Sequence, residues 1–335
     1  MLKKKKNLVT GAGGFIGGHL VNKLLENNNE VTAVDIKPIE YWFQPSDNAD
    51  NHVKDLRNFD NCIKVSKDVD FIFNMACNMG GMGFIENNKA ECMLSVLINT
   101  HLLQACLKNN IEKYFFSSSA CVYNKSLQKN AFIKGLKEED AYPADPEDGY
   151  GWEKLFSERM CRHFYEDFGV DVRIARYHNV YGPLGTFDGG REKAPAAICR
   201  KIAKCKIENI NNLEIWGDGE QTRSFLFIDD CIEGTLKLFV SNFNEPLNLG
   251  SEEQVSINQM VSLVEKIANV NSLERIYLPN KPKGVMGRTS ENSKMQKILN
   301  WNYKISLQEG LEKTYNWIFE QLKTKKSNIL KFTKS

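Results

Sequence analysis

From Asn7 onward the chain alternates short β-branched and aromatic runs with stretches of helical spacing. NLVT (7–10), EVTAVD (30–35), VDFIFNMA (69–76) and KYFFSSS (113–119) have the length and residue type of strands. Between them, FIGGHLVNKLLE (15–26) and CMLSVLINTHLLQACLKNN (92–110) repeat apolar residues three and four apart and stop at asparagines. Strand–helix alternation with short connections predicts an α/β fold with a Rossmann-type, doubly wound parallel sheet. Beyond Arg176 the texture changes to Gly- and Pro-rich loops, YGPLGTFDGGREKAP (181–195) and WGDGEQTRSF (216–225), separated by helical KAPAAICRKIAKCK (193–206) and SINQMVSLVEKIANV (256–270). The expected organisation is a first domain over 1–176 and a smaller C-terminal α/β lobe over 177–330. The chain is expected to recross to the first domain near 222–250.

The first strand–helix junction carries chemistry. Gly11, Gly14 and Gly17, with Phe15 and Ile16 between them, form a turn between a strand and a helix start. Without side chains the backbone N–H groups there can approach a pyrophosphate. Asp35, at the end of the next strand, is placed to accept both hydroxyls of an adenosine ribose and to repel a 2′-phosphate, so NAD is expected over NADP. Asp55 sits in a loop suited to the adenine end. The first domain is therefore read as an NAD-binding domain and the second lobe as the substrate lobe.

A second constellation lies at 149–154, GYGWEK. Tyr150 and Lys154 are spaced to share one helix face a single turn apart. A cation held there, together with a nicotinamide ring, is expected to lower the phenol from its reference pKa of about 10, making Tyr150 a base near neutrality. Ser119, at a strand's C-terminal end, can hydrogen-bond the same substrate hydroxyl.

Composition narrows the field. Lys plus Arg total 44 against 42 for Asp plus Glu, giving +2 overall, so no broad field for nucleic acid is generated. The nine cysteines are scattered without a CxxC pair, which argues against a metal site or a disulfide framework and for a reducing cytoplasmic setting. Apolar runs are read as too short for a membrane span, so no membrane partner is expected.

Taken together, the glycine turn, the Tyr-x-x-x-Lys pair, Asn99, RYHNVYGP (176–183) and GDGEQTRSFLFIDD (217–230) resemble the extended short-chain dehydrogenase/reductase (NAD-dependent epimerase/dehydratase) superfamily, which acts on nucleotide sugars. Dehydratases of that superfamily place an acidic pair near the catalytic threonine. SSSACVYN (117–124) offers none and puts Cys121 there instead. Oxidation at ring carbon 4 of a sugar makes a ketone that acidifies the C–H bonds at carbons 3 and 5. A thiolate beside cations, Cys121, can serve as base, and Lys193 can serve as acid on the opposite ring face. Either side chain alone reads as packing or solvated surface.

Segment by segment, NMGGMGFI (78–85), SSACVY (118–123), GYGWEK, RYHNVYGPLGTFDGGREKAPAAICRK (176–201) and GVMGRTSEN (284–292) are similar to the GDP-mannose 3,5-epimerase family. That resemblance implies an isomerase acting on a GDP-sugar through catalytic NAD. Tyr150, Lys154 and Ser119 would act at carbon 4, and Cys121 and Lys193 would invert carbons 5 and 3. Implied substrate contacts are Gly80, Ser119, Asn179, Glu192, Lys193, Lys201, Gln221, Arg223 and Arg288, the two arginines as forks for the diphosphate. It also implies a homodimer joined through the helices of Cys92–Cys106 and Tyr150–Phe168. The pattern departs from the family at Cys77, Asn78, Trp152 and Met286. Alternatives are a 4-epimerase or 4-oxidoreductase on a related GDP-sugar such as a heptose, needing only Tyr150 and Lys154, and a non-catalytic NAD-sensing protein.

Overall fold

The computed structural model describes residues 4–324 and 330–333. Its centre is a seven-stranded parallel sheet. The strands in chain order are β1 (Lys6–Thr10), β2 (Glu30–Asp35), β3 (Asp50–Val53), β4 (Phe71–Asn74), β5 (Lys113–Ser119), β6 (Val172–Tyr177) and β7 (Pro246–Leu249). Spatially they run β7-β6-β5-β4-β1-β2-β3. The apolar runs are continuous because both faces are covered. Alternate residues divide accordingly: Val9, Ala33, Phe73, Phe115 and Ala175 enter one core, and Leu8, Val34, Ile72, Phe116 and Ile174 the other.

Strand order reverses between β1 and β4, so a crevice opens beyond the C-terminal ends of these strands. Helix α1 (Phe15–Glu26) follows β1, α2 (Val96–Asn109) precedes β5, and α3 (Tyr150–Phe168) precedes β6. The helical stretch from Cys92 is broken: a short helix, Lys89–Met93, ends before α2 begins. Lys89–Asn109 together is long and apolar enough to cross a membrane by length and composition, which corrects the expectation that no run approaches that size. Here Leu102, Leu103, Ala105 and Cys106 bury one side against the sheet core. Strand β3, DNHV, carries no apolar alternation; it forms because β2 offers an unpaired edge.

After β6 the chain builds the second lobe. Its parts include α4 (Ala194–Glu208), a parallel pair of Asn212–Trp216 with Glu274–Leu278, and a three-stranded sheet of Gln254–Ser256, Thr222–Ser224 and Gly287–Arg288. Between these strands the chain returns to lay β7 beside β6. Between α4 and the strand Asn212–Trp216 the chain makes a tight exposed turn, capped by left-handed Asn209.

Candidate active site

The crevice is shaped by a close backbone approach. A Cβ at Gly17 would stand 2.1 Å from the Gly11 carbonyl oxygen, so only glycine lets α1 start this near the turn. Gly14 caps α1 without any side-chain hydrogen bond, which leaves the first-turn N–H groups free of side-chain acceptors. Such a cradle fits the diphosphate of a dinucleotide. A cleft of ≈ 720 Å³ extends from it, lined by Gly11, Gly14, Phe15, Ile16, Gly17, Asp35 and Asp55, and further along by Ser119, Tyr150 and Lys193. Asp35 is fixed at the wall by the N–H groups of Gly13 and Lys37, each 3.0 Å from a carboxylate oxygen. Asp55 forms an ion pair with Arg57 at 2.8 Å, which holds its carboxyl below the usual range.

At the far end, α3 meets the turn that carries Cys121. A one-turn helix, Ala120–Val122, follows β5, and the Cys121 N–H donates to Ser119 Oγ at 3.2 Å. The first turn of α3 presses on the Cys121 carbonyl so closely that a Cβ at Gly151 would sit 2.4 Å from it. Cys121, Tyr150, Cys92 and Ile85 thereby share one small apolar cluster with Cys77, Met79 and Phe84 at its edge. Lys193 arrives from the opposite lobe as the N-cap of α4, with Pro195 at the helix start setting the direction of entry. Burial lowers the Lys193 amine below its ordinary pKa, while the Cys121, Cys231 and Cys77 sulfurs oppose that shift, so amine and thiol stand within electrostatic reach.

Several expectations are corrected. Lys154 does not line the cleft: it is buried behind Tyr150, 3.5 Å from Glu153 and over the Phe116 and Tyr150 rings at 4.8 and 5.5 Å. Tyr150, whose expected activation needs the nicotinamide as well as Lys154, is a protonated phenol in the protein alone. Burial, then the neighbouring Cys77 and Cys121 sulfurs and Glu153, push its hydroxyl well above the ordinary value, with the Ser119 hydroxyl pulling the other way. Nor is Cys121 a resting thiolate: burial lifts it to about 12, Glu147 adds to the rise, and Arg288 opposes it.

The expected diphosphate fork at Arg288 is also engaged internally. It donates to Glu147 Oε1 at 2.8 Å, to Gln128 Oε1 at 2.7 Å and to the Cys121 sulfur at 3.5 Å. Arg223 donates to the backbone carbonyls of Thr222, Lys283 and Val285, and burial with the neighbouring Arg288 lowers it to about 10. Gly80, Asn179, Glu192, Lys201 and Gln221 lie outside the cleft lining. Glu192 is bonded to the Gly190 N–H and to Arg200, Lys201 to the Glu214 carbonyl, and Asn179 to the Ser224 carbonyl. Gln221 keeps a buried Oε1 without a partner.

Sequence reading missed Glu147 and Arg191. Glu147 comes from a loop yet is buried, and its N–H donates to the Cys121 carbonyl at 3.0 Å; the acid absent from SSSACVYN is supplied from a distant segment and neutralised by Arg288. Arg191 lines the cleft, stacks 3.8 Å over Phe84 and donates to Asn78 and the Met79 carbonyl. Nothing local in PEDGYG or GGREK distinguishes these residues from ordinary loop charges.

The geometry has counterparts. The NAD dependent epimerase/dehydratase family matches residues 7–250. The chain is 44% identical over 326 residues to GDP-mannose 3,5-epimerase 1 of Oryza sativa subsp. indica, spanning 97% of this chain and 84% of that one. UDP-glucose 4-epimerase of Thermotoga maritima, solved with UDP-glucose, superposes with a TM-score of 0.85 at 25% identity, covering 95% of this chain and 99% of that one. UDP-glucuronic acid 4-epimerase of Bacillus cereus, solved with UDP-glucuronic acid and NAD, superposes at 0.79 and 29% identity, with 95% and 99% covered. Glycine turn, cleft and family likeness converge on one conclusion: the chain belongs to the NAD dependent epimerase/dehydratase family and is an NAD-dependent epimerase.

Proposed function

We propose that the enzyme epimerises GDP-mannose at carbons 3 and 5, giving GDP-L-galactose with GDP-L-gulose as a possible second product. The observation that carries this reading is that Tyr150 and Lys193 line one cleft from two lobes while Cys121 packs against Tyr150 in one buried cluster. An enzyme working only at carbon 4 has no use for Cys121 and Lys193. When bound, NAD supplies reversible two-electron oxidation at carbon 4 of the sugar. Tyr150, hydrogen-bonded by Ser119, takes and returns the proton of the carbon 4 hydroxyl. Lys154, fixed behind the ring, contributes positive charge rather than a contact.

With carbon 4 as a ketone, protons at carbons 3 and 5 become removable. Cys121 removes one, and Lys193, reaching from the other lobe, returns a proton to the opposite face. For that the thiol must ionise, and Arg288 is the cation placed to favour the thiolate once substrate displaces water. Incubation with GDP-mannose in deuterated water is expected to place deuterium at carbons 3 and 5, read by NMR of the recovered sugars. Protium retained at both positions during turnover would sink the assignment.

The enzyme works as a homodimer joined through α2 and α3. Support comes from apolar side chains left exposed on those helices: Leu97 of α2 and Trp152 and Phe156 of α3 are 37%, 42% and 55% exposed. Sedimentation is expected to show twice the chain mass, and the double variant Trp152→Glu, Phe156→Glu half of that. A native chain that stays monomeric at micromolar concentration contradicts it.

A further inference from the structure

Beyond the glycine turn, a segment remote in sequence reaches the cofactor cleft. Lys331 lines it. The neighbouring Phe332 is 3% exposed and joins the two walls of the cleft. On one side its ring stacks on Phe43, 5.2 Å between centroids. Phe43 belongs to the β2–β3 connection, and its N–H donates to the Gly13 carbonyl of the glycine turn at 3.2 Å. On the other side Phe332 lies 6.3 Å from the Phe187 ring, and its carbonyl accepts the Phe187 N–H at 3.1 Å. Phe187 sits in the loop whose Gly182, Gly185 and Thr186 form the facing wall and which leads on to Lys193. Trp317 closes the cluster edge-on at 5.0 Å.

We propose that Leu330–Thr333 is a strap across the dinucleotide cleft, with Phe332 as its fastening and Lys331 as an additional contact for the anionic cofactor. Lys331 is half-buried, and among the described residues the only influence on its pKa is burial, which lowers it. A partly desolvated ammonium without a carboxylate partner among the described residues is stabilised by an anion, and the diphosphate of the cofactor is the anion this cleft is built for. The strap also suits the chemistry. An epimerase that restores its cofactor in every turnover has no need to release it, so a wall-to-wall fastening costs nothing in rate.

The test is retention of NAD by the purified holoenzyme. Native chain, a chain ending at Thr324, Phe332→Ala and Lys331→Glu are loaded with NAD, chased with excess labelled NAD, and the bound nucleotide is followed through desalting. Each variant is expected to release NAD about tenfold faster or more, as loss of one charged or well-packed contact implies, with circular dichroism unchanged. Release at the native rate in the variants overturns the strap, as does a lowered melting temperature with unaltered release, which would make Phe332 packing alone. If the shortened chain and Phe332→Ala fail to fold, Lys331→Glu decides. It changes a half-exposed side chain, and native retention there also overturns the proposal. None of these outcomes depends on which sugar is epimerised.

Discussion

Cys121→Ala is expected to lower epimerisation by about 10² to 10⁴, the range for loss of a positioned acid or base, while GDP-mannose still reduces the bound cofactor. The separation follows from the geometry. Tyr150 and Ser119 line the cleft, whereas Cys121 lies behind them against Glu147 and Arg288. The fold should survive, since Arg288 keeps Glu147 and Gln128 when the sulfur is gone. The readouts are deuterium at carbons 3 and 5, expected to vanish, and near-ultraviolet absorbance of reduced cofactor, expected to persist. Native epimerisation by the variant would remove the thiol from the mechanism. The pH profile of the native enzyme should show the partner group: Lys193 must be protonated to act as acid, and burial places its pKa below that of a free lysine. Activity is therefore expected to fall with rising pH through that lowered value, earlier than an exposed lysine would dictate.

Tyr150→Phe is expected to stop both processes together. Removing one hydroxyl leaves no group to carry the carbon 4 proton, so cofactor reduction and epimerisation should each fall by about 10² to 10⁴. NAD retention should be unchanged, because the glycine turn and Asp35 are untouched. The ring is buried and its apolar contacts with Cys121 and Cys92 remain, so the fold loses the hydroxyl's bonds with Ser119 and Cys77, about 1 kcal/mol each. Stopped-flow absorbance with GDP-mannose separates this variant from Cys121→Ala: no reduced cofactor should form. Reduction at the native rate would assign the proton transfer to another group.

Both experiments bear on a state that the cofactor-free protein does not hold. Tyr150 and Cys121 both rest protonated, because burial disfavours the charged form and the nearby carboxylates, Glu153 and Glu147, reinforce it. Opposing charge reaches Tyr150 from the nicotinamide when NAD is bound, and reaches Cys121 from Arg288, 3.5 Å from its sulfur.

How much of this could be read along the chain depends on the range of the interaction involved. The glycine turn, the strand runs and Tyr-x-x-x-Lys are local: each rests on spacing within one turn or one strand, and each appears in the sequence. The break at Leu94–Ser95 and strand β3 were not visible. One interrupts a good apolar pattern and the other forms without any, and both are imposed by neighbouring elements. Glu147 shows the limit most clearly. Three residues before Tyr150 it looks like a loop acid, but Arg288, 141 residues further on, draws it into the interior beside Cys121.

The sequence by itself determined four strands of the sheet, the cofactor turn and the kinds of side chain available for chemistry, because backbone conformation and strand or helix periodicity are short-range properties. Tertiary structure alone decided which charges would meet: that Arg288 pairs with Glu147 at the thiol, that Lys193 crosses from the other lobe, and that Phe332 ties the walls together. Those choices follow from desolvation, since a buried charge or ring takes its partner from whatever the fold brings within a few ångströms, and that distance has no counterpart along the chain.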